Sequence, residues 1–212
     1  MDLLVTLLGI YTPSFVRKQA LRALFRCTAA ALQVAPPALG RCSAGALLRD
    51  YAEFTSSHVA ARIDGGCDMK AVEQCLYGAA VELGQRWSGA FHIRSMDDMR
   101  RVGRVLYRVL GIDFQSDERG EVVISRCFFS EVYSAAVCQV MSAMDRGLFA
   151  GLSGGGQLEF SARITEGQCC CRAQFTLRIE GLPLSIGDGM QSCAASTPTP
   201  GPAPDMGVEK EP

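Results

Sequence analysis

Five of the ten cysteines in this chain of 212 residues lie between Glu121 and Phe175. They are Cys127, Cys138 and the run Cys169, Cys170, Cys171, interspersed with Tyr133, Asp145, Arg163 and Glu166. Thiols gathered at one place are suited to three roles: a structural zinc site, a reactive or redox thiolate, or small buried apolar groups. The spacing leaves all three open, because there is no C-x-x-C pair and a ten-residue gap between Cys127 and Cys138 is not diagnostic of metal. Asp145 follows Cys138 by seven residues, two helical turns, so both lie on one helix face with Met141, Met144 and Leu148 as neighbours. An acid in that setting serves as a general base or orients a ligand, or else it is a boundary carboxylate paired with an arginine such as Arg163. Tyr133 can hydrogen-bond a ligand or simply pack. No Ser/His/Asp order, H-E-x-x-H, dinucleotide fingerprint or phosphate loop occurs. Gly154-Gly155-Gly156 follows a helix and does not open one, so it lacks the setting of a phosphate cradle.

The elements that must position these residues follow from periodicity. Residues 121–128 alternate as a strand, and residues 131–150 have helical spacing with Ser130 as the expected N-cap. Leu158, Phe160, Ala162 and Ile164 alternate, Thr165 to Gln168 reads as a turn, and the alternation resumes from Cys169 to Ile179. This β-α-β-β unit, residues 121–180, brings a strand end, a helix and a hairpin turn together. It places Cys169 and Cys171 on the side of Phe175 and Leu177, with Cys170 opposite. Cys127, Cys138 and at least one of Cys169 and Cys171 are therefore expected in one cluster.

Four helical patterns precede the unit, at about 14–34, 43–63, 69–91 and 95–110. The first should bury Phe15, Leu21, Leu24, Phe25 and Leu32 and expose a basic stripe of Arg17, Lys18, Arg22 and Arg26. Gly78 and Gly84 in the third weaken its helical propensity and leave room for close helix packing. Ser95 with Asp98 three residues on is a capping-box variant, and Gly111 stops the fourth helix. The expected fold is α+β: N-terminal helices on a small, mainly antiparallel sheet, forming a single domain over residues 1–187. Residues 188–212, rich in Pro, Ser, Thr and Gly, read as a disordered tail.

A net charge of −1 gives no electrostatic case for nucleic acid or an anionic membrane. No run approaches the roughly 20 apolar residues of a membrane span, and the apolar first residues lack a basic flank. The expected setting is cytoplasmic, with reduced thiols and a small-molecule ligand as partner; a homo-oligomer is left open.

The order of strand-end Cys127, Cys138 and Asp145 on a helix, Gly151, then Glu166-Gly167 and the Cys169–Cys171 run resembles two related groups over residues 75–180. One is the L-2-amino-thiazoline-4-carboxylic acid hydrolase-like family, the other the 4-vinyl-reductase domain family. The first resemblance implies hydrolytic opening of a cyclic C–N bond. Cys138 or one of Cys169–Cys171 would attack, Asp145 would manage protons, and Tyr133, Arg163 and Glu166 would hold the substrate. The second implies a binding or sensor domain without chemistry for a small hydrophobic or tetrapyrrole-like ligand, with zinc on Cys127, Cys138, Cys169 and Cys171 as an alternative use of the thiols.

Overall fold

The computed structural model describes residues 12–177 except 41, 92 and 94. Five helices lead into and interrupt a four-stranded sheet: α1 (Ser14–Ala31), α2 (Ala44–Asp64), α3 (Met69–Phe91), α4 (Met96–Val109), β1 (Ile112–Ser116), β2 (Glu121–Cys127), α5 (Ala135–Ser153), β3 (Gln157–Ala162) and β4 (Cys171–Thr176). The fold is α+β and the sheet is antiparallel throughout, in the order β1-β2-β4-β3. The expected tail lies outside the described residues.

Caps set several boundaries. Ser43 and Ser95 accept the amides of Ala46 and Asp98 and open α2 and α4. Gly111, at φ 68°, takes the left-handed turn into β1. Two expectations fail here. Phe15 is 70% exposed because it lies in the first turn of α1, away from the face of Leu21, Leu24 and Phe25. Ser130 does not cap α5. Residues Phe128–Glu131 form a short 3₁₀ turn that buries Phe129, and Ser134 caps the helix by accepting the Val137 amide at 3.2 Å. Tyr133 consequently sits in the link before the helix rather than in its first turn.

The strands alternate as a half-buried sheet must. Val122 and Ile124 of β2 and Cys171, Ala173 and Phe175 of β4 are buried while Arg172, Gln174 and Thr176 are exposed. Helices α4 and α5 cover the inner face: Tyr107 stacks on Phe114 at 4.8 Å between centroids, and Phe149 meets Phe175 edge-on at 5.5 Å. Helix α5 is apolar almost all round, so it runs through the middle of the molecule with the sheet on one side and α3 on the other. The α3–α5 crossing rests on glycines. A methyl group on Gly84 would stand on the Leu148 carbonyl and 2.9 Å from the Leu152 nitrogen; one on Gly151 would strike the Val81 carbonyl and stand 2.9 Å from the Gln85 nitrogen. Gly147 meets the Tyr77 carbonyl in the same way. Of the two glycines singled out in the sequence, Gly84 makes the close approach and Gly78 faces open space.

Candidate functional site

The register of β2 on β4 brings the site together. Ile124 pairs with Cys171, so the C-terminal end of β2, with Cys127, lies beside the N-terminal end of β4. The β3–β4 connection contributes Arg163 at that same end, followed by a 3₁₀ turn over Ile164–Glu166. The first half of α5 passes over this end of the sheet with Cys138, Ser142 and Asp145. Between them is a cavity of about 90 Å³, lined by Cys127, Cys138, Cys171, Tyr133, Asp145 and Arg163 on the polar side and by aliphatic and aromatic groups such as Leu24, Leu83, Met144, Leu148 and Phe160 elsewhere. A broader groove of about 680 Å³ between α1, α3 and α4, with Trp87 and Arg86, shares Leu83 with this cavity but contains none of its polar groups.

Asp145 is the polar centre of the cavity. The Tyr107 hydroxyl donates to its Oδ1 at 3.0 Å. Burial raises its pKa from 3.8 to about 6, opposed by the Tyr107 hydrogen bond and by the positive charges of Arg163 and Arg146. The side chain retains some exposure through the cavity surface, yet it is surrounded deeply enough that desolvation outweighs those three effects. The anticipated ion pair between Asp145 and Arg163 is replaced. Arg163 Nε donates to Ser142 Oγ at 3.3 Å, its Nη1 pairs with Glu166 Oε1 at 3.2 Å, and its guanidinium lies 5.3 Å from the centre of the Phe160 ring. That placement holds a cation at the cavity wall without neutralising the carboxylate.

Around this centre the hydroxyls are paired. Thr55, fully buried on α2, donates to the Tyr51 carbonyl at 2.8 Å and accepts from the Tyr133 hydroxyl. The Tyr51 hydroxyl is hydrogen-bonded to Thr28 at 2.9 Å. Burial pushes the phenols of Tyr107, Tyr133 and Tyr51 upward, so all three stay neutral donors.

Burial raises the three cavity thiols above their ordinary range. Burial pushes Cys127 up to about 12 even though the amides of Phe129 and Ser130 act to lower it. The thiols of Cys138 and Cys171 are also raised by burial, against the nearby Thr165 hydroxyl at the first and a hydrogen bond from the Ile164 amide to the second. A thiolate is the nucleophile and the metal ligand, and burial disfavours that form at all three. Cys127, Cys138 and, from the hairpin, Cys171 line the one cavity. Cys169 departs from the expectation that it would share that face: β4 begins only at Cys171, so alternation does not reach Cys169, which is exposed. The four-cysteine zinc set is thereby split, and among the described residues no three His, Cys, Asp or Glu side chains are arranged to hold a metal ion. Glu166 stands outside the cavity; its place three residues along the 3₁₀ turn gives it to Arg163. Thiol labelling of the folded protein should modify Cys169 and Cys67, which are exposed, well before Cys127, Cys138 and Cys171. Mass mapping of a time course checks the order, and fast labelling of Cys127 would contradict the burial described here.

Sequence reasoning missed Tyr107, Ser142 and Thr55. The usable signal was Tyr107 on an otherwise aliphatic face of α4, since a buried tyrosine hydroxyl needs a partner; nothing local shows that Asp145 supplies it. No helix among the described residues is long and apolar enough to cross a membrane. No protein-family model matches the chain, and no curated protein matches it.

Proposed function

We propose that this protein is a small-molecule-binding domain whose ligand is a compact, largely apolar group bearing one cationic or hydrogen-bond-donating function. A single observation carries the reading: an apolar cavity enclosing one carboxylate, Asp145, that no cation neutralises by direct contact. A buried, unpaired carboxylate is costly, and a ligand that brings a positive or donating group removes that cost on binding. By the measure in which one water occupies about 10–15 Å³, the cavity holds the equivalent of roughly six to nine waters, so the ligand has about that many heavy atoms. Arg163, one nitrogen of which is left without a hydrogen bond to the described side chains, adds a place for an acceptor such as a carboxylate.

The probes that test this are 2-aminothiazoline, its 4-carboxylate, and uncharged cyclopentanone as a size control. The two charged rings should raise the melting temperature at pH 7 and cyclopentanone should not; a ligand at 100 times its Kd stabilises by about 2.7 kcal/mol. Asp145→Asn should abolish the preference for the charged rings. Equal response to all three probes, or to none, would overturn the reading.

The raised pKa of Asp145 favours a second reading, hydrolysis of a cyclic C–N bond. A carboxylate with pKa about 6 is suited to general-base work near neutral pH. It would take a proton from a water attacking the C=N carbon, a role that the neutral thiols do not fill. Mass spectrometry of 2-aminothiazoline-4-carboxylate after incubation separates the two readings: a product one water heavier supports the hydrolase, and unchanged bound ligand supports the binding domain.

A further inference from the structure

The first two members of the cysteine run, Cys169 and Cys170, take no part in the cavity, and their geometry suits them to separate chemistry. Cys169 Sγ and Cys170 Sγ lie 3.8 Å apart, Cys169 exposed and Cys170 half-buried. Both precede the sheet ladder, whose first β4 partner is Cys171 opposite Ile124. The preceding turn is closed by Gly167 at φ 86° and by the Gln168 amide bonded to the Arg163 carbonyl. The pair therefore occupies a short stretch that is anchored at both ends and free of ladder bonds between them.

We propose that Cys169 and Cys170 are a reversible redox-modification site, a dithiol that low-molecular-weight disulfides oxidise to a bond between the two adjacent residues. The exposed Cys169 attacks a disulfide RSSR, forming a mixed disulfide and releasing one RSH. Cys170 then attacks the Cys169 sulfur, forming the Cys169–Cys170 bond and releasing the second RSH. Two electrons pass from the pair to the oxidant, and the two thiol protons leave on the two RSH molecules. Adjacent Cα atoms are about 3.8 Å apart, closer than the roughly 4.4–6.8 Å of ordinary disulfides. Such a bond is strained and is readily reduced again, which fits a switch rather than a structural staple. Residues outside the ladder can take up the distortion, whereas the same ring one position on would break the Cys171 pairing with Ile124. Cys171 stays out of the reaction because its buried sulfur accepts the Ile164 amide at 3.4 Å.

The full chain is treated with oxidised glutathione, quenched with N-ethylmaleimide after denaturation and digested with trypsin. Cleavage after Arg163 and Arg172 isolates all three cysteines in one peptide. The expected product is lighter by two hydrogen atoms, carries one maleimide on Cys171 and reverts with dithiothreitol. Glutathione should persist on the exposed Cys67 but not on Cys169, because the neighbouring thiol resolves the mixed disulfide there. In Cys170→Ser, glutathione should remain on Cys169. Persistent separate adducts on both residues in the unsubstituted protein, chains cross-linked through Cys169, or a bond that includes Cys171 would each overturn the proposal.

Discussion

Replacing Gly84 with alanine should destabilise the protein by about 3 kcal/mol, while the same change six residues earlier, at Gly78, should stabilise it by about 0.5–1 kcal/mol. Both residues lie inside α3, and by helical propensity alone both changes should stabilise. The difference is what each Cβ meets. At Gly78 it meets nothing within 4 Å, so alanine only removes backbone freedom from the unfolded chain. At Gly84 it meets the Leu148 carbonyl, the Leu152 nitrogen and the Gly151 Cα, all main-chain atoms of a helix that cannot give way locally. Separating α3 from α5 would also open the wall of the cavity, because Ala80 and Leu83 of α3 and Met144, Asp145 and Leu148 of α5 line it together. Urea unfolding of the two variants provides the check. For a chain of this size each kcal/mol corresponds to about 2–4 °C in melting temperature, so opposite shifts are readily resolved. A stable Gly84→Ala protein would mean that the crossing is looser than described.

Asp145→Asn should make the protein more stable at pH 8, by about 2–3 kcal/mol, and give little gain at pH 4. The folded-state pKa of about 6 lies above the ordinary 3.8, so the native state binds this proton more tightly than the unfolded chain does. The associated stability is fully present below about 3.8 and is lost as pH rises through about 6. Two units at about 1.4 kcal/mol each set the size of the loss. Asparagine keeps an oxygen for the Tyr107 hydroxyl, so the substitution removes the buried charge without orphaning its donor. Chemical denaturation of both proteins across pH 4–8 should give a stability difference that grows as pH rises from about 4 to about 6 and levels off above that. A constant difference would place Asp145 in contact with solvent and would remove the physical basis of the proposed binding site. Stability gained together with lost ligand discrimination is the pattern expected of a group retained for function.

Local periodicity determined which segments became helix and which strand. The change from helical to alternating spacing near Ile112 is a property of consecutive residues, and it marks the start of the sheet in the structure. Alternation in β4 settled that Cys171, Ala173 and Phe175 face inward, and the seven-residue step on α5 settled that Cys138 and Asp145 line one cavity. Periodicity could not say where it stops. Cys169 reads as in phase with Cys171 until the ladder, a matter of partner strands, turns out to begin one residue after Cys170. The start of α5 shifted from Ser130 to Ser134 for a similar reason: Phe129 packs against Tyr51 and Tyr133 in a 3₁₀ turn, contacts that no capping rule within the segment contains. Tertiary structure alone decided the chemistry of the site. The Tyr107 hydrogen bond to Asp145 spans 38 residues, the Arg163 contact with Ser142 spans 21, and the raised thiols follow from how much protein surrounds them. Residue types fix what a group can do; its pKa and partners depend on which distant elements exclude water from it, and here that is decided by the glycine crossing of α3 and α5 and the end of the sheet beneath it.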